Sequence, residues 1–153
     1  VLVTAFSTSS SAATLPTALA TARAPLGLRP TVSGFVLPLG ATMNMAGTAL
    51  YEGCVVLFVA QIFGIELGLG QQLTLLLLAV ISAVAVAAIP GGSLPLIAGL
   101  LVAFGIPPEG IGIILGVDRL LDMTRTMTNV GSDMVTTAVV DARQRATGHA
   151  GRV

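Results

Sequence analysis

Five polar side chains near the C-terminal end of this chain, Asp118, Asp122, Arg125, Asn129 and Asp133, are separated by four, three, four and four residues. On a helix of 3.6 residues per turn, that spacing lines all five along one face. The rest of the sequence makes this stripe decisive. The chain has 153 residues, 54% hydrophobic and 9% charged, with a mean hydropathy of +0.96. Soluble domains carry about 25% charged residues. Seven basic and seven acidic side chains could hardly cover a water-facing surface, so an all-α integral membrane protein is expected. Four of those charges lie on the stripe, at membrane depth, where ionisable groups are costly and serve function.

Composition also excludes several classes. Net charge is zero, there is no lysine, and the arginines are scattered, so no basic face for nucleic acid exists. Cys54 is the only cysteine and His149 the only histidine, which excludes an internal disulfide and thiolate or imidazole metal clusters. Cys54 reads as a buried small residue in an apolar span, and His149 as an exposed residue of a polar tail. With no other histidine to serve as base, nucleophilic catalysis lacks its machinery. Asp118 and Asp122 do not make a hydrolytic acid pair either, because residues four apart on one helix do not clasp one bond from both sides. The expectation is not an enzyme. The opening VLVTAFSTSSSAATLP has neither an initiator methionine nor a signal-peptide pattern, and reads as the interior of a longer protein.

Along the chain, residues 1–20 are small and apolar around Ser9-Ser10-Ser11, and residues 20–34 read as an aqueous loop. Residues 35–65 are long enough to cross a hydrocarbon core of about 30 Å. Glycine and polar residues interrupt them from Gly40 to Thr48, where a helix could unwind and offer carbonyls. Residues 73–106 are apolar but broken at Pro90-Gly91-Gly92-Ser93. Neither half reaches the ~20 residues of a span, so a re-entrant hairpin or two short tilted spans is expected. Residues 109–140 form the last span, and 142–153 a polar tail. In that layout Arg23, Arg29, Arg143, Arg145 and Arg152 share one side, opposite Glu66 and Glu109. The positive-inside rule makes the arginine side cytoplasmic. A single kinked helix over 73–106 would break this parity; the other two layouts preserve it.

The stripe has a plain reading, pairing of charges within a bundle, and a functional one, a ligand or ion pathway. Asp122 and Arg125, three apart, could neutralise each other or present one anionic and one cationic contact to a small molecule. The Arg125 fork suits a carboxylate. The break at Asn44 could serve packing, or supply carbonyls for a hard cation, with Asn129 and Asp133 completing an oxygen site. The serine run at residues 9–11 could offer backbone N–H groups to a carboxylate at a helix N-terminus.

In this order, the strings SSSAATLP, LPLGATMNMAGTALYEG, AAIPGG and GVDRLLDMTRTMTNVGSDM resemble the C-terminal half of the glutamate/aspartate (dicarboxylate/amino acid:cation) symporters. The resemblance runs from the start to about Asp141. It implies a partial transport domain of two transmembrane helices, one unwound mid-span, plus a complete re-entrant hairpin and the end of an earlier one. These are residues 1–20 (end of the first hairpin), 35–65 (broken span), 73–106 (second hairpin) and 109–140 (last span), followed by a cytoplasmic tail at 142–153. It further implies a multi-pass protein of the cell inner membrane, homotrimeric when complete, whose transport domain moves as an elevator through the lipid bilayer. Its cargo would be an acidic amino acid coupled to sodium, with no other cofactor. A proton-coupled C4-dicarboxylate or neutral amino acid carrier is the alternative.

Carried over by position, the resemblance implies that Arg125 binds the substrate's side-chain carboxylate and Asp122 its amino group. Thr126, Asn129 and Thr48 add polar contacts, Ser11 offers its backbone, and Ile89, Pro90 and Gly91 close over the substrate. For sodium, Gly40, Asn44 and Asn129 supply carbonyls and Asp133 a carboxylate. A second ion sits between Thr42 and carbonyls near Ala83, Val84 and Val86. Two departures stand out. Ala46 replaces an aspartate that belongs to a further sodium site in many members. Ser9 and Met123 occupy the two positions where members often carry a second arginine, leaving Arg119 as the nearest extra cation.

Overall fold

The computed structural model describes residues 1–85 and 92–150, the side chains of 148–150 excepted, and no strand occurs among the described residues. Helices α1 (Leu2–Thr8) and α2 (Ser11–Arg23) are joined by Ser9 and Ser10. Ser9 turns the chain at φ 49°, and the Ser10 hydroxyl accepts the Ala13 N–H at 3.2 Å, capping α2 as serine does at helix starts. Helix α3 (Pro30–Met43) begins with proline in its first turn, where the missing N–H is no loss.

The chain breaks at Asn44 and Met45, whose dihedrals (φ −96°, ψ 72° and φ −98°, ψ 48°) leave the helical region, and resumes as α4 (Ala46–Ile62). The interruption expected between Gly40 and Thr48 is therefore two residues long. Taken together, Pro30–Ile62 is the one stretch among the described residues that is long and apolar enough to cross a membrane.

Helices α5 (Leu69–Ala85) and α6 (Leu94–Ala103) pack on each other and on α4. Their shared core holds Val55, Val56, Val59, Leu75, Ile97 and Leu101. The span expected at 109–140 is not continuous. A 3₁₀ turn (Pro108–Gly110) leads into the short α7 (Ile111–Leu115), and α8 (Asp118–Ala150) begins after a turn at Gly116-Val117. Gly110, Gly112 and Gly116 weaken helix propensity here, each by about 1 kcal/mol relative to alanine. At the other end, α8 continues into the polar tail as far as Ala150, supported by the Arg145–Asp141 ion pair four residues apart.

The loop read at 20–34 is narrower, because α2 runs to Arg23 and α3 starts at Pro30. It meets the C-terminal part of α8: Arg29 Nε lies 2.7 Å from Asp141 Oδ1, and Arg145 donates to the Gly27 carbonyl at 2.7 Å. The hydrogen bonds from Arg29, its side chain's above all, and the nearby Arg145 charge hold the Asp141 carboxyl below its ordinary value. Its stabilisation is therefore present at neutral pH and is lost only as acid protonates it, below about pH 4. Cys54 is exposed rather than buried. The buried face of α4 runs instead through Tyr51, Glu52, Val55, Val56 and Val59.

Helix α8 is the hub, touching α1, α2, α3 and α4. Two glycines set how closely it is approached. A Cβ at Gly47 would lie 2.6 Å from the Arg125 carbonyl oxygen and 2.9 Å from Thr128 Cβ, and one at Gly40 would overlap the Asp133 carboxyl. Gly53, farther along α4, has nothing within 4 Å of such a Cβ. In the full-length protein in detergent, Gly47→Ala is expected to lower thermal stability by the ~1–3 kcal/mol of overpacking. Gly53→Ala is expected to leave it unchanged or raised. Thermal unfolding of both variants checks this, and equal midpoints would contradict the close approach.

Candidate functional site

Most of the stripe on α8 is buried against the α3–α4 break: Asp122, Arg125, Asn129 and Asp133, with neighbouring Thr126, are all at most 6% exposed, while Asp118 is half-buried. The local cause is the break itself. A helix start leaves N–H groups without intrahelical acceptors, and Met45 gives α4 no side-chain cap. Asn129 supplies one from the neighbouring helix. Its Oδ1 accepts the N–H of Gly47 at 2.7 Å and of Thr48 at 3.3 Å, while its Nδ2 donates to Thr48 Oγ1 at 3.1 Å. One turn on, Asn44 Nδ2 donates to Asp133 Oδ1 and Ser132 Oγ, both at 2.9 Å. The backbone of Gly40 closes over the same carboxyl. Asn44, Asn129, Asp133 and Gly40 are thus brought together, an oxygen-rich group of the kind that suits a hard cation.

At the other end of the stripe, Arg125 donates to Asp122 and to Ser93, and its guanidinium lies 5.7 Å from the centre of the Tyr51 ring. Tyr51 donates to Asp118 at 2.6 Å, and exposed Arg119 approaches Asp122 at 4.0 Å. Among the described residues, Arg125 Nε is buried with no hydrogen-bond partner, as is Ser9 Oγ. An unpaired donor on a buried guanidinium is costly, and it is a contact that an anionic ligand can take up. Thr48 and Thr126 are buried beside this end of the stripe, and Ser11 is buried at the start of α2.

The other expected positions fall differently. Thr42 is exposed, and its hydroxyl donates back to the Leu39 carbonyl at 2.9 Å. Ala83 and Val84 lie across a cleft of about 420 Å³ from Asn44, Met45 and Ala46. Ile89, Pro90, Gly91 and Val86 lie outside the described residues. Sequence reasoning missed Glu52, which is fully buried and accepts from Ser82 on α5. A lone carboxylate inside an apolar run was a signal of the same kind as the stripe. It also missed Tyr51 and Ser93, neutral residues whose partners are far away in sequence.

Known proteins resemble this chain over most of its length. The model of the sodium:dicarboxylate symporter family matches residues 1–143. Excitatory amino acid transporter 4 of Mus musculus is 44% identical over 140 residues, which is 92% of this chain and 25% of that protein. Excitatory amino acid transporter 2 of Homo sapiens is 43% identical over 138 residues, 90% of this chain and 24% of its own. The corresponding values for an excitatory amino acid transporter of Caenorhabditis elegans are 41%, 138 residues, 90% and 27%. The chain spans about a quarter of the length of these relatives.

The inter-helix cap is open to a local test. Asn129→Leu keeps much of the volume and removes the acceptor, orphaning the Gly47 and Thr48 amides at about 1–3 kcal/mol for an unsatisfied group. Amide hydrogen exchange over residues 46–50 of the full-length protein is expected to quicken by one to two orders of magnitude. Unchanged protection would show that Asn129 does not hold the start of α4.

Proposed function

The chain belongs to the sodium:dicarboxylate symporter family, and from that premise we propose that it forms most of the moving transport domain of a secondary carrier for acidic amino acids, coupled to sodium. As a member it is part of a transporter and not of an enzyme. In this reading α3–α4 and α8 span the inner membrane, α5–α6 form a re-entrant hairpin, and α1–α2 end an earlier one. The complete protein is a homotrimer whose transport domains work by an elevator motion.

One observation carries the substrate assignment: a buried Arg125 beside Asp122, with a guanidinium N–H still unpaired among the described residues. An acidic amino acid offers a side-chain carboxylate to Arg125 and an ammonium to Asp122, matching both signs. Fork geometry favours the carboxylate at arginine. Thr48, Thr126 and Asn129 line the same end of the stripe, Ser11 offers backbone from α2, and Ile89, Pro90 and Gly91 act as the gate. Sodium is held by Gly40, Asn44, Asn129 and Asp133. A second ion lies between Thr42 and the backbone near Ala83, Val84 and Val86.

Arg125→Cys tests the reading. In proteoliposomes the full-length variant is expected to lose aspartate uptake by at least about 30-fold, the lower end for truncating one member of a buried charge pair. It is also expected to gain uptake of neutral amino acids. Undiminished aspartate uptake would overturn the assignment.

A further inference from the structure

Two turns beyond Asp133, α8 carries a third buried carboxylate, after Asp122 and Asp133, that the stripe as read from sequence did not include. Asp141 is 2% exposed, yet it lies at the polar end of the helix. Both of its oxygens are engaged: Oδ1 by Arg29 Nε at 2.7 Å and Oδ2 by Arg145 Nε at 2.6 Å. Arg29 adds its backbone N–H to Oδ1 at 3.4 Å. Its Nη2 donates to the Asp141 carbonyl and to Gln144 Oε1, each at 3.1 Å. Arg29 is also the residue immediately before α3, held extended (φ −60°, ψ 133°) by the proline that follows it. Its backbone is therefore rigidly tied to that helix.

Helix α3 is thus fastened to α8 at both ends, by Arg29 to Asp141 and by Asn44 to Asp133 and Ser132. Between the fastenings its buried residues are Val32, Ser33, Leu37 and Ala41, of which only Ser33 and Ala41 are small. In a bilayer no hydrophobic drive presses two helices together, so the axial position of α3 rests on the packing of Leu37 and on the polar fastenings at its two ends. The site tolerates little sliding, because Gly40 meets the Asp133 carboxyl with no room for a methyl group.

We propose that Asp141 is a positioning residue for the ion site: by gripping Arg29 it fixes the axial position of α3 on α8, and so holds Gly40 and Asn44 against Asp133. This rests on the reading of Asp133 as a sodium ligand. The grip rests on several charge-assisted contacts to a covered carboxylate rather than on burial of the pair, since the Arg29 side chain is 38% exposed.

The test uses the full-length protein with two readouts. Asp141→Asn and Arg29→Gln are expected to raise the half-saturating sodium concentration for aspartate uptake by about 2- to 30-fold, the range of couplings altered from a distance. The apparent KM for aspartate at saturating sodium should stay within twofold of wild type. Arg29→Lys should recover most of the loss. Arg145→Gln, which spares the Arg29 contact, should leave the sodium requirement unchanged. Amide exchange over residues 41–48, measured without sodium, is expected to quicken in the first two variants alone, and it reports the position of α3 whatever the cargo. Unchanged exchange together with an unchanged sodium requirement would overturn the proposal. Faster exchange with an unchanged sodium requirement would overturn the link to the ion site. A wild type indifferent to sodium would count against the functional reading, while exchange still judged the grip on α3.

Discussion

Everything in this arrangement depends on the Asn129 side chain capping the start of α4. A helix that breaks inside a membrane exposes amides and carbonyls that no water can satisfy, at several kcal/mol for each group left unpaired. The break at Asn44-Met45 persists because α8 supplies the missing acceptor at Gly47 and Thr48. The cap fixes α4 on α8, Gly47 allows the contact, and the loosened backbone of the break comes to lie beside Asp133. The same substitution-sensitive contact therefore makes the site and closes the fold.

The acids of α8 extend this logic along the helix. Asp118 takes a proton donor from Tyr51 on α4, Asp133 from Asn44 at the break, and Asp141 from Arg29 before α3. Each ties a different part of the chain to α8. Asp122 is bracketed by Arg125 and Arg119 on its own helix, at i+3 and i−3, and it sits where a zwitterion can exchange partners with the pair. The charged residues of α8 thus fix the elements around it, and in the proposed reading Asp122 and Arg125 also meet the ligand.

Much of this was legible in the sequence. The stripe and the break each depend on spacing and local composition, and both appear where the residues put them. So does the serine turn between α1 and α2. The grouping of Asn44 with Asn129 and Asp133 was expected, but the atoms that meet across the chain were not legible: nothing near Asn129 announces that its acceptor meets Gly47, and nothing near Arg29 announces Asp141. Thr42 shows the limit of proximity in sequence. Residues two apart on a helix point about 200° apart, and Thr42 faces outward while Asn44 meets α8. Glu52 lacked periodic companions, so a search for stripes passed over it. Three glycines split the apolar run before Asp118, although its hydropathy read as one uninterrupted span.

Whether the oxygen-rich end of the stripe couples transport to sodium is decided by the driving force. The most direct measurement is radiolabelled aspartate uptake by the full-length protein in proteoliposomes, with inward sodium and proton gradients imposed separately. Accumulation under the sodium gradient alone, with none under the proton gradient alone, is the expected result. Uptake that persists without sodium and follows the proton gradient would contradict the assignment of Asn44, Asn129 and Asp133 to the coupling ion.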